Sequence, residues 1–486
     1  MMRSLSQSIK PHWKRALSLL LVLLTVLGMI PTTAFAAEDS SSATRYTATG
    51  DFEVNIAGST GWNGTRLPLT VYGSEDGTDE ITAVPASDEA GPVPFVILED
   101  NGGERVKIGL VSDDSGNVIP WTGGAVDGTG WVDKKYIFVN LPDVIPSIAY
   151  NLTNASGSVF TAADGKELPG VTGTKFYPDA RQVNSRLDRK EYIVPCMYTL
   201  AQRLAKVQKT AMSNGETLVI YEAFRPAAVQ TAVRDSFSAL ISSDSAVSAD
   251  MQRASAMGYG QNWFIAGGTS NHQAGLAVDM TLAKGDPAEL YGYILDGVTY
   301  QKYEAWTEYD MPSAMQELSS DAIRFQTPTS STTMPSSLDN WTDGFAASEG
   351  AKRLQSYCTD AGLIPLASEW WHFNDPNMAE IMAKGNYSKA TAVNTNGDYT
   401  FDSAPSVTPG KALAQFSSRP MKVNASPQAD GPTGGVGGLN PGSPGGQKPS
   451  RNDVAWTTDP ERTFLRFTLV EFPEGVVTDL NTLDRS

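Results

Sequence analysis

Short apolar runs alternate with polar and glycine-rich breaks over residues 45–140. The runs include RLPLTVYG, PVPFVILE, RVKIGLV and WVDKKYIFVNL. Alternation at a period of two predicts β-strands, and the turn sequence DNGGER between two of these runs predicts a hairpin. Because helical periodicity is absent from this part of the chain, the pattern predicts a small all-β module.

The pattern changes near residue 144 to a mixture of helices and strands. Residues 192–213 carry apolar side chains at helical spacing, and Gly215 is suited to end this helix. The run TLVIYE (217–222) predicts a strand, and Pro226 is suited to open the helix that follows. We therefore expect an α+β domain over residues 144–390.

The N-terminus has the three parts of a secretory signal peptide. A basic segment precedes the apolar run ALSLLLVLLTVLGMI, and AFA at 34–36 is a small-x-small cleavage site. The alternative is an uncleaved membrane anchor, but the apolar run is shorter than the roughly 20 residues a spanning helix needs. The pattern predicts a signal peptide over 1–36, cleaved after Ala36. It also predicts a secreted protein, extracellular or associated with the cell wall, with no stable membrane span.

The C-terminal part of the chain is rich in glycine and proline. Residues 391–450 include the stretch GPTGGVGGLNPGSPGGQKPS, which is typical of a flexible linker. Residues 451–486 contain apolar runs but are too few to bury a core alone. The role of this tail stays open.

Composition excludes one class of partner. The formal net charge is −17, whereas phosphate binding requires a basic surface, so we expect no nucleic-acid partner. Cys196 and Cys358 are the only cysteines in the sequence, which is too few for a cysteine-ligated zinc. A disulfide between them and two buried thiols both remain open, and two thiols is the favoured alternative.

Metal-ligating residue types occur in two short segments. The sequence has three histidines, and His12 lies in the predicted signal peptide. Asp279 follows His272 by seven residues, and Glu369 precedes His372 by three. Two imidazoles and a carboxylate are typical of a catalytic zinc site, and a further carboxylate can act as base on water. The alternative is buried histidines and a capping or salt-bridged aspartate.

The backbone geometry between His272 and Asp279 decides whether their side chains can reach the same metal ion. The segment GLAVDMTL alternates as a strand does, and positions an odd number apart on a regular strand face opposite sides. Gly275 can absorb this difference through a bulge or a later start of the strand. We therefore expect His272 on the loop that enters the strand, with Asp279 on its inner face.

Two segments resemble the metal motifs of the zinc D,D-peptidases. This family includes D-alanyl-D-alanine carboxypeptidases and the D-alanyl-D-alanine dipeptidases linked to vancomycin resistance. SNHQAGLAVD (270–279) matches the Ser-x-His-x-x-Gly-x-Ala-x-Asp motif of the family. EWWHF (369–373) matches the second zinc motif, and its double Trp is closer to the dipeptidase branch.

Two further segments carry the same resemblance in family order. YEAFRP (221–226) is similar to the family's Asp-x-Tyr-Arg-Pro segment, from which Glu222 and Phe224 depart. YDMPSAMQELS (309–319) is similar to the Asp-Met segment that precedes the family's second half. The resemblance covers roughly residues 144–390 and leaves out the β module and the tail.

The resemblance implies a ligand set and two catalytic residues. It implies one Zn²⁺ per chain, bound by His272, Asp279 and His372. It also implies that Glu369 is the general base and then the acid toward the leaving amine, and that Arg225 stabilises the oxyanion. A fixed guanidinium suits this task because it supplies preorganised positive charge where negative charge develops.

Four further residues are candidates for substrate binding. Ser270 can hydrogen-bond substrate or merely shape its loop. Glu222 and Asp310 are candidates for holding a substrate ammonium group, although the departure at Glu222 puts its role in doubt. Trp371, with its neighbour Trp370, is a candidate for the pocket wall, and core packing is the equal alternative.

The resemblance implies the α+β fold of these peptidases (Hedgehog/DD-peptidase-like), with an antiparallel sheet and flanking helices. The preceding module is similar to an SH3-like barrel in its closing strands, GTGWVDKKYIFVNL. We expect a zinc metallopeptidase that hydrolyses D-Ala-D-Ala, either as a carboxypeptidase on peptidoglycan stem peptides or as a dipeptidase. A non-catalytic cell-wall-binding protein and a peptidoglycan endopeptidase on the same fold remain alternatives. The sequence does not give the oligomeric state.

Overall fold

The computed structural model describes residues 56–384 and residue 413, with gaps at 66, 86–92, 113–117, 121–127, 179, 185, 188, 269 and 296–297. The predicted signal peptide, the tail and all of the linker except residue 413 lie outside the described residues, so these remain predictions. No helix in the described part of the chain is long and apolar enough to cross a membrane.

The described residues form a mixed α/β structure with antiparallel sheets and several helices. The two longest α-helices, Tyr198–Ser213 and Ala227–Ser243, each bury apolar side chains in the core. The α-helices are α1 (Leu141–Val144), α2 (Thr153–Ser156), α3 (Tyr198–Ser213), α4 (Ala227–Ser243), α5 (Ser245–Ala256), α6 (Asp343–Ala347), α7 (Glu349–Asp360) and α8 (Met378–Lys384).

The first eight strands belong to the predicted β module. The hairpin predicted from DNGGER is confirmed, because the strands on either side of that turn pair in antiparallel register. These strands are β1 (Thr60–Asn63), β2 (Leu69–Tyr72), β3 (Glu80–Val84), β4 (Pro94–Glu99), β5 (Arg105–Ser112), β6 (Val118–Pro120), β7 (Gly128–Asp133) and β8 (Ile137–Asn140).

The remaining described strands belong to the α+β region and to two separate hairpins. They are β9 (Ala149–Tyr150), β10 (Thr161–Ala162), β11 (Lys166–Glu167), β12 (Arg181–Asn184), β13 (Arg189–Tyr192), β14 (Pro195–Met197), β15 (Glu216–Glu222), β16 (Ala277–Gly285), β17 (Leu290–Leu295), β18 (Val298–Tyr303), β19 (Trp306–Glu308), β20 (Glu317–Leu318), β21 (Ile364–Pro365) and β22 (His372–Asn374).

Two sheets organise the described residues. The larger runs in the order β14-β8-β1-β4-β5-β7-β2-β3, with β6 paired to β5, so a strand from the later region closes one edge of the β-module sheet. The central sheet of the α+β region runs β21-β22-β16-β15-β9, with β19 paired to β16. Its long strands β15 and β16 are antiparallel and buried along almost their whole length.

Local sequence signals place the central elements correctly. The strand predicted at 217–222 is present as β15, and α4 begins directly after Pro226. Gly215 adopts the left-handed conformation (φ 74°) between α3 and β15, as its position predicts. The helix predicted over 192–213 begins only at Tyr198, because residues 195–197 pair with β8 instead.

One apolar core extends from the β module into the α+β region. Phe138 of β8 contacts Phe224 edge to face, with ring centroids 6.3 Å apart. Gly275 packs closely against the ring of Phe138, since a β carbon at position 275 would lie 2.5 Å from that ring. The β module therefore packs directly beneath the turn that leads into β16.

Candidate metal centre

Three adjacent strands bring carboxylates and an imidazole into one row. In the register of the central sheet, Asp279 of β16 lies opposite His372 of β22 on one side. On its other side it lies opposite Glu222, after a bulge in β15. Directly opposed residues of antiparallel strands have neighbouring side chains. Strand pairing thus places together side chains that are far apart in the sequence.

His272 enters this row from a 3-10 turn, Asn271–Ala274, and not from a strand. Ser270 and Gln273 form a capping box at the start of the turn, and Gly275 ends it in the left-handed conformation (φ 62°). The strand begins two residues later, at Ala277. The expectation that His272 precedes the strand and Asp279 lies on it is confirmed.

Three ligand atoms converge at the end of this row. His272 Nε2 lies 3.1 Å from His372 Nδ1 and 3.2 Å from Asp279 Oδ1. The distance from His372 Nδ1 to Asp279 Oδ1 is 3.1 Å. All three side chains are buried, with exposed fractions of 0%, 7% and 1% for His272, His372 and Asp279. This group can hold a metal ion.

The hydrogen bond made by Nδ1 of His272 leaves a lone pair on Nε2, the ring nitrogen that faces Asp279 and His372. His272 Nδ1 lies 2.7 Å from the main-chain oxygen of Ala223. A carbonyl oxygen only accepts hydrogen bonds, so Nδ1 carries the proton. In the neutral ring the opposite nitrogen, Nε2, is then an acceptor, and it is the atom that faces Asp279 and His372.

The same logic assigns the tautomer of His372. His372 Nε2 lies 3.0 Å from Asn374 Oδ1, which also accepts a hydrogen bond from Asn271 Nδ2 at 2.9 Å. The Asn374 amide nitrogen donates to the oxygen of Ser331, so the orientation of the amide follows from its partners. His372 Nε2 therefore donates, and Nδ1 is the acceptor. Burial lowers the pKa of His372, which favours this neutral ring.

The three converging atoms are thus acceptors with no proton between them, an arrangement that a cation stabilises. A tetrahedral cation with bonds of about 2.0–2.1 Å to nitrogen and oxygen holds its ligand atoms roughly 3.3 Å apart. The observed spacings of 3.1–3.2 Å are close to this value. The distances and the lone pairs are therefore compatible with one cation held between His272, Asp279 and His372.

Asp279 Oδ2, the second carboxylate oxygen, accepts a hydrogen bond from an arginine. Arg225 Nη2 donates to Asp279 Oδ2 at 2.6 Å, and Arg225 Nε donates to Glu222 Oε2 at 2.6 Å. Burial alone raises the pKa of Asp279, but the groups around it, Arg225 among them, hold it well below its ordinary value. Asp279 is therefore ionised, with Oδ2 held by the guanidinium and Oδ1 turned toward the imidazoles.

Glu369 lies beside this group without joining it. Its Oε2 is 3.5 Å from His372 Nδ1, and its side chain lines the same cavity. Burial and the negative charge of Asp279 raise the pKa of Glu369 well above its usual range, and a cation nearby opposes that shift. A carboxylate so placed, with a raised pKa, is suited to take up and return a proton.

A buried arginine holds the loop that carries Glu369. Arg324 Nη2 donates to the main-chain oxygens of Glu369 and Trp370, at 3.1 and 2.7 Å. Its guanidinium lies over the ring of Phe373, 4.5 Å from the centroid. Burial lowers the pKa of Arg324 to about 9. This loop is therefore tied to the core on the side away from the cavity.

Both histidines of this group open on a cavity of about 400 Å³, which Asp279 does not line. Arg225, Ser270 and Glu369 line it together with both histidines. Further lining residues come from three separate segments of the chain and combine apolar with uncharged polar side chains. They include Asn262, Trp263, Phe264, Ile265, Ser331 and Leu366.

The structure places the predicted substrate-binding residues in different surroundings. Ser270 lines the cavity, where its Oγ also accepts a hydrogen bond from the backbone nitrogen of His272. Glu222 is buried beside Arg225 and is not among the residues that line the cavity. Asp310 is exposed and likewise does not line it. Trp371 is buried and likewise does not line the cavity, and its contact with the Glu369 carboxylate lowers the pKa of that group.

Several residues around the centre were not predicted from the sequence. Asn374, which orients His372, had a usable signal, because residues two apart on a strand share a face. Gln316, which contacts Asp279, lies within the segment YDMPSAMQELS that carries part of the resemblance, but no rule singled out this position in it. Asn154 and Tyr177 had no such signal, yet both donate to Glu222 Oε1 at 2.6 Å.

No protein-family model matches this chain, and no curated protein matches its sequence significantly. The assignment of a function therefore depends on the motifs and on the geometry of the centre.

Proposed function

We propose that the chain is a zinc-dependent D,D-peptidase that hydrolyses D-Ala-D-Ala termini of peptidoglycan stem peptides or the free dipeptide. The observation that carries the proposal is the convergence of three buried acceptor atoms, from His272, Asp279 and His372, at 3.1–3.2 Å. Glu369 and Arg225 lie at the same cavity, as the resemblance to the zinc D,D-peptidases implies.

Zinc suits this donor set better than the hard cations do. Mg²⁺ and Ca²⁺ prefer shells made of oxygen atoms, whereas two imidazoles with one carboxylate are typical of catalytic zinc. When bound, Zn²⁺ supplies Lewis acidity, which polarises a carbonyl group and makes water a stronger acid. His272, Asp279 and His372 would hold the ion, and three protein ligands would leave it able to bind water or substrate beside the cavity that Glu369 lines.

Glu369 is proposed to move protons between water and the leaving group. Its carboxylate is buried beside His372 and takes a proton from water as the water attacks the scissile carbonyl carbon. The same carboxylic acid then donates that proton to the amine as the C–N bond breaks. The contact from Trp371 and the anchoring of the main chain by Arg324 hold Glu369 in place for both transfers.

Arg225 is proposed to stabilise the negative charge that develops on the carbonyl oxygen. Its contacts with Glu222, Asp279 and Gln230 use three of its five N–H groups, and its guanidinium lines the cavity. Burial disfavours its charged form, but Glu222 and Asp279 raise its pKa, so the positive charge is retained. A rigid cation of this kind needs little reorganisation during the reaction.

The other parts of the proposal concern the whole chain. We propose that residues 144–390 have the zinc D,D-peptidase fold and that the preceding module is SH3-like. The antiparallel pairing of β15, β16 and β22 around the centre supports the former. Export with removal of residues 1–36 would bring the enzyme to peptidoglycan.

Two measurements on the purified full chain test the proposal. The first is metal analysis, for which we expect one Zn²⁺ per chain in the wild type and loss of zinc in His272→Ala. The second is release of D-Ala from free D-Ala-D-Ala and from a pentapeptide stem, with Glu369→Gln as the inactive control. Activity on only one substrate would decide between dipeptidase and carboxypeptidase.

The outcomes separate the alternatives. A chain that binds stoichiometric zinc but releases D-Ala from neither substrate would overturn the substrate assignment. Mass analysis of products from intact wall fragments would then reveal an endopeptidase. A chain that holds no stoichiometric zinc would overturn the enzymatic proposal and favour a non-catalytic wall-binding protein.

A further inference from the structure

Gln316 has an unusual backbone for its residue type. Its φ is 58°, in the left-handed region that residues with a β carbon adopt rarely and at a cost in energy. Asp164 is the other non-glycine residue with positive φ in the described ranges, and aspartate is enriched in this conformation whereas glutamine is not. Such a strained backbone persists only where neighbouring contacts impose it, and residues with this strain are frequent at functional sites.

Main-chain contacts on both sides impose this backbone. The carbonyl oxygen of Gln316 accepts a hydrogen bond from the Thr161 nitrogen at 3.3 Å. The next residue, Glu317, begins β20, which pairs in parallel with β10, and its nitrogen donates to the Ala314 oxygen at 3.2 Å. The side chain of Gln316 is fully buried and is thereby directed toward the metal centre.

The amide of Gln316 contacts both carboxylates that flank Arg225. Gln316 Nε2 donates to Asp279 Oδ2 at 3.0 Å and to Glu222 Oε2 at 3.1 Å. These are the two oxygens that receive the Arg225 guanidinium, each at 2.6 Å. A single hydrogen bond would still allow the Asp279 carboxylate to rotate. Two donors on different elements, Arg225 and Gln316, restrain that rotation. Oδ1 of Asp279 is then turned toward the imidazoles.

We propose that Gln316 is a positioning residue of the metal centre, which fixes the Asp279 carboxylate so that Oδ1 meets the two histidines. The inference rests on the proposed zinc function. A neutral amide is suited to this position because it donates hydrogen bonds without adding a second positive charge next to Arg225. Asp279 therefore keeps more of its negative charge for the metal.

Zinc affinity, measured by competition with a chromophoric chelator, tests this role independently of activity. We expect Gln316→Ala and Gln316→Gly each to weaken zinc binding by about 10- to 100-fold, as loss of an outer contact to a ligand typically does. Glycine adopts positive φ freely, so thermal unfolding should show Gln316→Gly to be more stable than Gln316→Ala. If Gln316 had only a structural role, zinc affinity would follow stability, and Gln316→Gly would bind zinc more tightly than Gln316→Ala. We expect instead that both variants lose zinc affinity to a similar extent.

Gln326→Ala in the following loop is the matched control, since its amide donates to the Trp341 oxygen at an exposed site. It should bind zinc as the wild type does. Wild-type zinc affinity in Gln316→Gly would overturn the inference while leaving the proposed function intact. Absence of zinc from the wild-type chain would overturn both.

Discussion

The Phe138 ring of the β module occupies the space that a side chain at Gly275 would require. A β carbon at Gly275 would lie 2.5 Å from Phe138 Cε1 and 3.2 Å from the Cys196 Cα. Gly275 also ends the turn that carries His272, in a left-handed conformation. The packing between the β module and the α+β region thus bears directly on the position of His272, one of the proposed metal ligands.

Replacing Gly275 with alanine should therefore affect both stability and metal binding. The left-handed backbone costs about 1 kcal/mol for alanine, and overpacking against Phe138 costs about 1–3 kcal/mol more. We expect a loss of about 2–4 kcal/mol in the free energy of unfolding, measured by denaturant titration, and weaker zinc binding.

Gly215→Ala is the control for backbone strain alone. Gly215 has φ 74°, a β carbon at this position would meet no other atom within 4 Å, and the residue lies at the far end of β15 from the centre. Its replacement should cost about 1 kcal/mol and leave zinc affinity unchanged. Equal effects of the two substitutions would show that the contact with Phe138 is unimportant.

Asn374→Ala should weaken zinc binding by releasing the tautomer of His372. Asn374 Oδ1 is the acceptor for His372 Nε2, so its loss allows the proton to move to Nδ1, the converging atom. We expect a loss in zinc affinity of about 10- to 100-fold. Nitrogen NMR of the imidazole in the metal-free protein should report the change in protonation. Asn340→Ala in an exposed loop should change neither quantity.

Glu369→Gln should abolish most activity while retaining zinc. The glutamine has nearly the same shape, but it cannot accept and return a proton. We expect kcat to fall by about 10²- to 10⁴-fold, the usual contribution of general acid–base catalysis. Metal analysis should still find one zinc, because Glu369 Oε2 lies outside the group of three ligand atoms. The exposed Glu349→Gln is the control, and loss of zinc from Glu369→Gln would contradict its assigned role.

The two cysteines should be unreactive in the folded protein. Cys196 and Cys358 are free and fully buried, as the favoured alternative predicts. Burial raises the pKa of both thiols well above the ordinary value, so little thiolate forms near pH 8. A thiol-specific reagent should label neither residue in native protein and both after denaturation. Rapid labelling under native conditions would contradict this packing.

Local patterns in the sequence were enough to indicate the elements around the centre. The β4–β5 hairpin, β15 and the start of α4 each follow from neighbouring residues, because turn residues and side-chain periodicity act within a few positions. Local patterns also drew attention to His272 and His372, since the chain has few histidines and each of the two has a carboxylate nearby, whereas the ligand set itself came from the resemblance. The prediction of a helix over 192–213 was wrong at its start, because residues 195–197 pair with β8 as a strand despite the helical spacing of the apolar residues in that range.

The chain's sequence by itself thus determined which residue types are available to bind a metal and on which local elements they lie. Tertiary structure alone decided the register that sets His372 against Asp279, the division of tasks between the two oxygens of Asp279, and the burial of Glu222 away from the cavity. It also brought Gln316 to the centre. These features depend on contacts between distant parts of the chain, and no local pattern encodes them because hydrogen bonding and packing act through space.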